Sequence, residues 1–251
     1  MSDLWPMGVG RHVLARTDST NAEAMRMASA LSAPAWIMAH RQMAGRARRG
    51  REWVMPEGNF AATLVIRPKG GMAQAPQLSF VAALALHDAL TLACGPAARL
   101  AIKWPNDVLL NGGKVAGILL EGGAAGAVSW VAVGIGVNLA AAPEATAVEA
   151  GALPPVSVRG ETGFDASPEA FLDLLAPAFA NWLSQLENWG FSVIRNAWLA
   201  RAARLGEPII ARTGQAETRG IFEGVDEQGA LILNTSGGRV SLPAADVFFG
   251  S

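Results

Sequence analysis

Residues 99–122 read RLAIKWPNDVLLNGGKVAGILLEG, and this stretch decides the fold. Apolar residues run along 99–110 and 114–122, as they do in strands that are buried in a sheet. Between them, Asn111-Gly112-Gly113 supplies positive backbone φ angles at low steric cost, which favours a tight hairpin turn. Pro105 interrupts the first run, because proline cannot donate a hydrogen bond to a β ladder. The stretch therefore predicts two antiparallel strands of a core sheet.

Further strands and helices are predicted on both sides of this hairpin. Strands are predicted over 11–18, 36–42, 60–68 and 128–140, and helical segments over 20–31, 77–93 and 168–205. We interpret 122–126 as a turn and 141–168 as a loop. After Gly206 the apolar period changes from three or four to two, which predicts four or five short strands. The chain is therefore expected to divide into residues 1–204 and a small β domain, 205–251, packed on them.

Composition excludes several classes of protein. Apolar residues make up 51% of the 251 residues and the net charge is −1, which excludes disorder and bulk electrostatic binding to nucleic acid. Cys94 is the single cysteine, so an intramolecular disulfide is excluded. The start of the sequence lacks a basic region followed by an apolar run, so we expect a cytoplasmic protein. Two uncharged stretches, 70–87 and 122–143, contain turn or polar residues and are interpreted as buried elements rather than membrane spans.

An unusual basic segment follows the second predicted strand. Residues 40–53 read HRQMAGRARRGREW, in which glycines let backbone N–H groups approach an anion and arginines bind phosphate in a bidentate manner. Nucleotide phosphate or nucleic acid is the functional interpretation, and a solvated basic loop is the alternative. The arginines are Arg41, Arg46, Arg48, Arg49 and Arg51.

Two more polar clusters interrupt the apolar hairpin. Lys103 to Asp107 place charge within a buried strand, where unpaired polar groups cost about 1–3 kcal/mol each, although turn chemistry beside proline is an alternative. Lys114 directly follows the hairpin turn, and the alternative is a surface lysine. The sequence has no Walker loop, dinucleotide fingerprint, Cys/His metal cluster or G-x-S-x-G elbow.

Five segments occur in one order that resembles the biotin–protein ligases. They are TDSTN (17–21), QMAGRARRGREW (42–53), KWPND (103–107), KVAGILLE (114–121) and VGIGVNL (133–139). The resemblance covers about residues 10–250. It implies an α+β fold with a mixed β-sheet, helices packed on one side of it, and a small C-terminal SH3-like β-barrel. It is closest to the form of the family that lacks an N-terminal DNA-binding domain.

The resemblance implies an ATP-dependent ligase that works in two steps. The biotin carboxylate attacks the α-phosphate of MgATP to give biotinyl-5′-AMP and pyrophosphate, and a lysine amine then attacks the mixed anhydride. The implied small molecules are biotin, ATP and Mg²⁺, and the implied partner is a biotin carboxyl carrier protein or domain. No role with DNA or a membrane is expected, and the oligomeric state stays open, a homodimer included.

The family pattern also implies roles for individual residues. For biotin, they are Ser19, Thr20, Asn21, Gln42, Gly45, Arg46, Ala47, Arg48, Lys114, Gly117, Gly134 and Gly136. For ATP, they are Arg46, Arg48, Arg49, Arg51, Trp53, Lys103, Asn106 and Asn138, with Asn138 near the adenine. For catalysis, they are Lys114, Arg48 and Asp107, with Lys114 bridging the carboxylate and the α-phosphate. No metal ligand is assigned.

Two departures and two alternatives complete the sequence-based hypotheses. Ala47 stands where the family has a glycine, which predicts a different loop closure at a cost of about 1 kcal/mol. The C-terminus lacks an arginine that some members use near ATP, so that role is missing or has moved to Arg212 or Arg239. A lipoate–protein ligase is the related alternative. A non-enzymatic RNA-binding module, using the arginine segment and the β domain, is the remote one.

Overall fold

The computed structural model describes residues 5–125, 128–144, 152–214 and 216–249. Its first sheet contains β1 (Gly10–Leu14), β2 (Ala35–Ala39), β3 (Phe60–Ile66), β4 (Leu100–Lys103), β5 (Asp107–Leu110), β6 (Gly113–Ala125) and β7 (Val128–Val137). The helices are α1 (Thr20–Met27), α2 (Gln77–Cys94), α3 (Val158–Thr162), α4 (Pro168–Trp189) and α5 (Phe191–Leu199). A second sheet contains β8 (Pro208–Thr213), β9 (Ala216–Val225), β10 (Leu231–Thr235), β11 (Gly238–Leu242) and β12 (Asp246–Phe249).

The first sheet is mixed, as expected for an α+β fold. Its strand order is β1-β2-β3-β7-β6-β5-β4. β1 pairs with β2 in parallel, and the remaining neighbours are antiparallel. The long hairpin of β6 and β7 therefore lies near the middle of the sheet, where both of its edges are hydrogen-bonded. The mixed sheet with helices packed on it is confirmed.

Helices cover both faces of this sheet, so the expectation that they lie on one side is wrong. Phe60 and Leu64 of β3 belong to a core that α2, α4 and α5 cover. Val65 points to the opposite face and belongs to a smaller cluster with Ala24 of α1. The physical reason is that every residue of β3 is buried, so both faces of the strand must be shielded from water. α1 covers only one end of the sheet face on which it packs. The rest of that face of the sheet carries the candidate site.

The 99–110 segment folds as two strands rather than one interrupted strand. β4 and β5 pair antiparallel, with Lys103 opposite Asp107, and the turn between them contains the cis peptide bond Trp104–Pro105. The predicted Asn111-Gly112-Gly113 turn is confirmed, with φ of 52° at Asn111 and 91° at Gly112. The predicted turn over 122–126 is wrong for Gly122 and Gly123, which pair with β7, and Gly126 lies outside the described residues.

The helical segment 168–205 is divided by Gly190, whose φ of 76° ends α4 and begins α5. Ser167 caps α4 by accepting a hydrogen bond from the Ala170 N–H. Trp189, at the end of the apolar stripe, is 69% exposed, because the helix ends there with nothing packed over the ring. The predicted loop 141–168 contains the short helix α3, and its residues 145–151 lie outside the described ranges.

The second sheet is antiparallel, with strand order β11-β10-β9-β8-β12, and packs on the helices of the first. The rings of Trp198 and Phe222 are 6.5 Å apart, centroid to centroid. The indole N–H of Trp104 donates to the carbonyl of Gly229 at 3.0 Å. One apolar core therefore runs through both sheets.

α2 is long and apolar enough to cross a membrane by length and composition. It is also 61% buried inside the protein, where it packs against α4 and the sheet. Core helices of this kind meet the same criterion, so α2 is explained by the core that it forms.

Candidate active site

Glycines shape the part of the sheet face that α1 leaves uncovered. Gly117 of β6 lies opposite Gly136 of β7, and Gly134 is the next residue of β7 on the same face. A Cβ on Gly134 would lie 2.2 Å from Oδ1 of Asn21, and one on Gly136 would lie 2.5 Å from the ring of Trp53. The missing side chains therefore make room for Asn21 and Trp53 directly against the sheet.

A polar network lies at the α1 end of this face. The carboxamide Oε1 of Gln42 accepts hydrogen bonds from the backbone N–H of Thr20 at 2.8 Å and from its hydroxyl at 3.1 Å. The Thr63 hydroxyl lies 2.8 Å from Oγ1 of Thr20 and 2.6 Å from Oδ1 of Asn21, and it can donate to either. Thr20, Asn21 and Thr63 are all at most 3% exposed. The network is therefore a rigid, uncharged surface of donors and acceptors.

A small cavity of about 40 Å³ opens on this network. All of the residues predicted to bind biotin line it except Gly45. Gly45 instead lets two chain segments meet, since a Cβ there would lie 2.5 Å from the carbonyl oxygen of Trp53. The structure thus brings together predicted biotin residues from four separate segments of the sequence around one cavity.

Lys103, Asp107 and Lys114 form a partly buried charge cluster beside the cavity. The Asp107 carboxylate is 2.7 Å from the Lys114 ammonium and 3.7 Å from that of Lys103. Burial alone would raise the pKa of Asp107, but the two ammonium groups outweigh it and hold that pKa below its usual value. Burial lowers the pKa of Lys103, and Asp107 opposes this effect. Asp107 is therefore ionised at neutral pH.

A β-bulge directs Lys114 toward the site. Val108 pairs with Ala116 and Leu109 pairs with Lys114, so Val115 is an extra residue in β6. In a regular strand Lys114 and Gly117 would face opposite sides, because side chains alternate. The extra residue puts them on the same side, and the Lys114 ammonium lies 3.6 Å from where a Cβ on Gly117 would be.

The arginine segment folds over the site in a short 3₁₀ turn, Arg48–Gly50. Arg46 donates to Glu121 at 3.1 Å, and Arg48 donates to Oδ1 of Asn106 at 3.3 Å. Burial lowers the pKa of the Arg48 guanidinium, and the carboxylate of Asp246 opposes this. The segment therefore contacts both sheets, since Asp246 begins β12.

Asp246 binds three guanidinium groups of the segment. Its carboxylate is 2.9 Å from Arg49, 2.9 Å from Arg51 and 3.8 Å from Arg48. The repulsion that so many like charges would produce is thus relieved by an anion from the second sheet.

Ala47 adopts φ −118° and ψ 179°, which is extended backbone open to any residue. The predicted cost of alanine in place of glycine is therefore absent in this conformation. Ala47 contributes to the walls of both cavities of the site, the small one and a larger neighbour.

That larger cavity, of about 480 Å³, adjoins the small one. The two share Ala47, Arg48, Trp53, Asn106 and Lys114 in their walls. The catalytic candidates Lys114, Arg48 and Asp107 and the ATP candidates Arg51, Trp53, Lys103, Asn106 and Asn138 all line the large cavity. Its other wall is apolar and includes Val54, Val247 and Phe248. The wall thus combines four cations and three carboxylates with apolar groups, and such a mixture suits a ligand with phosphates and a flat ring.

Asn138 offers an unused acceptor to this cavity. Its Nδ2 donates to the carbonyl of Val156 at 3.0 Å, which fixes the direction of the amide. Its Oδ1 is buried and has no hydrogen-bond partner among the described residues. A buried acceptor without a donor is costly, so a ligand N–H group at this point would satisfy it.

Four predicted arginines do not line the large cavity. Arg46, which was also predicted for ATP, lines the small cavity instead. Arg49 is bound to Asp246, as described above. Arg212 stacks on the Phe248 ring at 4.2 Å and pairs with Glu217, and Arg239 pairs with Glu223. The suggestion that Arg212 or Arg239 replaces a C-terminal arginine is therefore wrong for this structure, since neither side chain reaches the cavity.

Thr63, Glu121 and Asp246 belong to the site, but sequence reasoning gave none of them a role. Thr63 is the polar residue in the otherwise apolar strand FAATLVI, and that break in the pattern was the available signal. Glu121 is the last residue of the segment KVAGILLE (114–121), which supported the family resemblance without giving Glu121 a role of its own. Asp246 gave no local signal, because its partners lie far earlier in the chain: Arg51 is 195 positions away.

Comparisons with known proteins agree with this geometry. A model described as the biotin/lipoate A/B protein ligase family matches residues 13–138, and one described as the biotin protein ligase C-terminal domain matches residues 205–250. The chain is 73% identical over 239 residues to the biotin–[acetyl-CoA-carboxylase] ligase of Paracoccus denitrificans, which covers 95% of this chain and 100% of that relative. It is 32% identical over 248 residues to the ligase of the same name from Mycobacterium tuberculosis. That match covers 94% of this chain and 87% of that relative.

A solved structure gives the same result for the fold. The biotin protein ligase from Aquifex aeolicus, determined in complex with biotin and ATP, superposes with a TM-score of 0.80 at 24% identity and covers 95% of this chain and 97% of that one. The solved structure shows the fold, and the two domain matches with the 73% identical relative show that the chain belongs to the biotin/lipoate A/B protein ligase family.

Proposed function

We propose that the chain is an ATP-dependent biotin–protein ligase, which forms biotinyl-5′-AMP and transfers the biotinyl group to a lysine of a carrier protein. The observation that carries this function is the position of Lys114, which lines both the small cavity, with its network of Thr20, Asn21 and Gln42, and the large cavity that Arg48, Arg51 and Lys103 border. A ligase of this kind must bring a carboxylate to a phosphate. Both are anions, so a fixed cation between them lowers the barrier.

In this proposal the small cavity holds the bicyclic ring of biotin. The ring has a ureido group with one acceptor and two donors, which suits the uncharged network of Ser19, Thr20, Asn21 and Gln42. The ring lies beside Asn21 and Trp53, which pack directly against Gly134 and Gly136 of the sheet. Biotin then extends toward Lys114, with its carboxylate at the boundary between the cavities. Lipoate has no ureido donors to offer this network, which favours biotin.

The large cavity holds the nucleotide. Lys114 and Arg48 face the reacting carboxylate and α-phosphate, and Lys103, Arg49 and Arg51 supply further positive charge around the phosphates. Trp53 packs near the nucleotide, and the free Oδ1 of Asn138 accepts the adenine amino group. Lys114 is held by Asp107 and Arg48 by Asn106 before ligand arrives, so these two cations need little reorganisation during reaction.

We propose that Mg²⁺ enters with ATP as part of the substrate. Mg²⁺ in nucleotide sites binds one or two carboxylates together with phosphate oxygens. Among the oxygen-bearing residues of the large cavity, which also include Glu52 and Asp246, we propose Asp107 and Asn106 for this role because they adjoin Lys114. Bound there, the ion would neutralise charge on the pyrophosphate that leaves.

In the second step, the amine of the carrier lysine attacks the acyl carbon, a C–N bond forms and AMP leaves. The ionised Asp107 carboxylate borders the cavity and can orient the incoming amine. No covalent bond to the enzyme is required in either step. The partner is the biotin carboxyl carrier protein or domain of a biotin-dependent carboxylase, and we place the reaction in the cytoplasm without a role for DNA.

The domain limits, 1–204 for the catalytic domain and 205–251 for the β domain, remain part of this proposal. The β domain contributes Asp246, Val247 and Phe248 to the large cavity. Whether two chains associate as a homodimer is a question for solution measurements of mass.

Exchange of pyrophosphate into ATP tests the function, because it reports the first step alone. We expect exchange that depends on biotin and is at least about 100-fold slower with lipoate at the same concentration. Equal exchange with lipoate would identify a lipoate–protein ligase, and exchange with neither acid would contradict the proposal.

A further inference from the structure

Two side chains stand behind the wall of the small cavity and hold its polar surface in place. Thr63 lies on β3 and Glu121 lies on β6, on either side of Asn21. Neither lines the cavity. Thr63 is fully buried, and the Glu121 side chain is 24% exposed.

Glu121 fixes which way the amide of Asn21 points. A carboxylate only accepts hydrogen bonds, so it binds the NH₂ end of the amide, and Nδ2 of Asn21 donates to Oε2 of Glu121 at 2.8 Å. The Leu119 carbonyl accepts from the same Nδ2 at 3.3 Å, which favours the same direction. Oδ1 of Asn21 must therefore face the other way.

Thr63 occupies the place that Oδ1 of Asn21 then faces. Its hydroxyl is 2.6 Å from that oxygen and 2.8 Å from Oγ1 of Thr20. Without this hydroxyl, Oδ1 of Asn21 would lose its donor, and the amide would not regain one by rotating, because Oδ1 would then face the Glu121 carboxylate. Thr63 and Glu121 thus act on Asn21 from opposite ends.

Glu121 also links the pocket to the arginine segment, because Arg46 donates to the same Oε2 at 3.1 Å. The carboxylate therefore ties the segment that covers the cavity to the wall of the cavity itself.

We propose that Thr63 and Glu121 are positioning residues for ligand specificity: together they fix the Asn21 amide and the Thr20 hydroxyl in the arrangement that binds a cyclic urea. This inference rests on the proposed function, since it concerns the same cavity. The inference goes beyond that function in one respect: specificity for the bicyclic ring of biotin depends on two side chains that do not contact the ring.

The test is Thr63→Val, which keeps the shape of the side chain and removes the hydroxyl. We expect the KM for biotin to rise about tenfold or more, because a buried acceptor loses its donor. The KM for ATP and the kcat at saturating biotin should stay within about threefold of wild type. Thr63→Ser restores a hydroxyl and should return the KM for biotin to within about threefold. Thr91→Val makes the same substitution at an exposed site away from the cavity, where the Thr91 hydroxyl donates to the His87 carbonyl of its own helix.

A second variant, Glu121→Ala, tests the opposite end of Asn21 and decides the matter if Thr63→Val does not fold. It should also raise the KM for biotin about tenfold. Glu187→Ala is its control, since Glu187 is similarly buried, at 19% exposure, and pairs with Lys69 far from the site. Isothermal titration with biotin alone gives an independent measure of binding.

The results separate this inference from the proposed function. A wild-type protein without biotin-dependent exchange overturns the function itself. An active wild type whose biotin KM is unchanged in Thr63→Val overturns the inference, as does an equal loss in Thr63→Val and Thr63→Ser. If only Glu121→Ala can be measured, a biotin KM within twofold of wild type overturns it.

Discussion

At Lys114, a β-bulge and an ion pair determine where a single ammonium group lies. The extra residue Val115 turns Lys114 to the face of Gly117, and Asp107 holds it at 2.7 Å. The position is thus fixed by the backbone before any ligand binds. A preorganised cation of this kind acts on the charge that develops in the transition state.

We therefore expect Lys114→Ala to slow adenylate formation about 10²–10³-fold, the loss that is typical for one preorganised donor. Biotin affinity should fall much less, because the ring contacts remain. Pyrophosphate release in a single turnover, at saturating biotin and ATP, measures the effect. Lys69→Ala, which removes a surface lysine paired with Glu187, is the control. A rate within threefold of wild type would rule out the catalytic role.

Asp107 gives a prediction for stability and pH. Removing it in Asp107→Asn leaves two ammonium groups facing each other without their buried anion, which costs about 3–5 kcal/mol of unfolding free energy near neutral pH. Because the neighbours hold the pKa of Asp107 below its usual value, this contribution is complete above the unfolded-state pKa of about 3.9 and is lost as the pH falls through the lower folded-state pKa.

Urea unfolding of both proteins across this range measures the difference. The gap between wild type and Asp107→Asn should be constant from about pH 7 to 5 and narrow below about pH 4. A gap that widens on acidification would show that Asp107 is not held ionised by its neighbours.

The arginine segment, residues 40–53, is the element whose folding over the site depends most on a compensating negative charge. In the ligand-free chain, Asp246 supplies the negative charge that phosphates would otherwise supply. We expect Asp246→Asn to make the segment several-fold more sensitive to trypsin between Arg46 and Arg51, because fewer contacts then oppose local opening. Adding biotin and MgATP should protect the segment in both proteins.

Asp173→Asn serves as the comparison for this prediction, since it breaks an exposed ion pair with Arg11 on the first sheet. Cleavage rates that are equal in wild type and Asp246→Asn, with and without ligand, would mean that Asp246 does not hold the segment.

Elements of the site could be predicted wherever a local pattern was strong. The Asn111-Gly112-Gly113 turn, the arginine segment and the glycines of β7 were all visible in the sequence, because turn chemistry and close backbone approach demand particular residues. The bulge at Val115 was not visible in the sequence, since register depends on how two strands pair. The role of Asp246 was not visible either, since its partners come from a different part of the chain.

At the scale of the whole molecule, the two sheets share one core. The ring of Trp198, in α5, is fully buried. Its centroid lies 5.3 Å from that of Phe80 in α2 and 6.5 Å from that of Phe222 in β9. The period change after Gly206 predicted a separate β domain, but periodicity carries no information about what that domain packs against. The shared core is what brings Asp246 and Phe248 to the large cavity.

Trp198→Ala should therefore destabilise the whole chain by about 3–5 kcal/mol, the usual cost of removing a buried tryptophan. Trp189→Ala, at a ring that is 69% exposed, should change stability by less than about 0.5 kcal/mol. Urea unfolding followed by circular dichroism gives both values. Comparable losses in the two variants would contradict a core that continues through both sheets.

The central claim is that the chain transfers biotin to a protein, and one measurement tests it directly. The full chain is incubated with biotin, MgATP and a biotin carboxyl carrier domain, and the mass of the carrier is measured over time. The account predicts a gain of one biotinyl group at one lysine, dependent on ATP, with AMP and pyrophosphate released in equal amounts. A carrier of unchanged mass, with an active ligase of the same family as positive control, would contradict it.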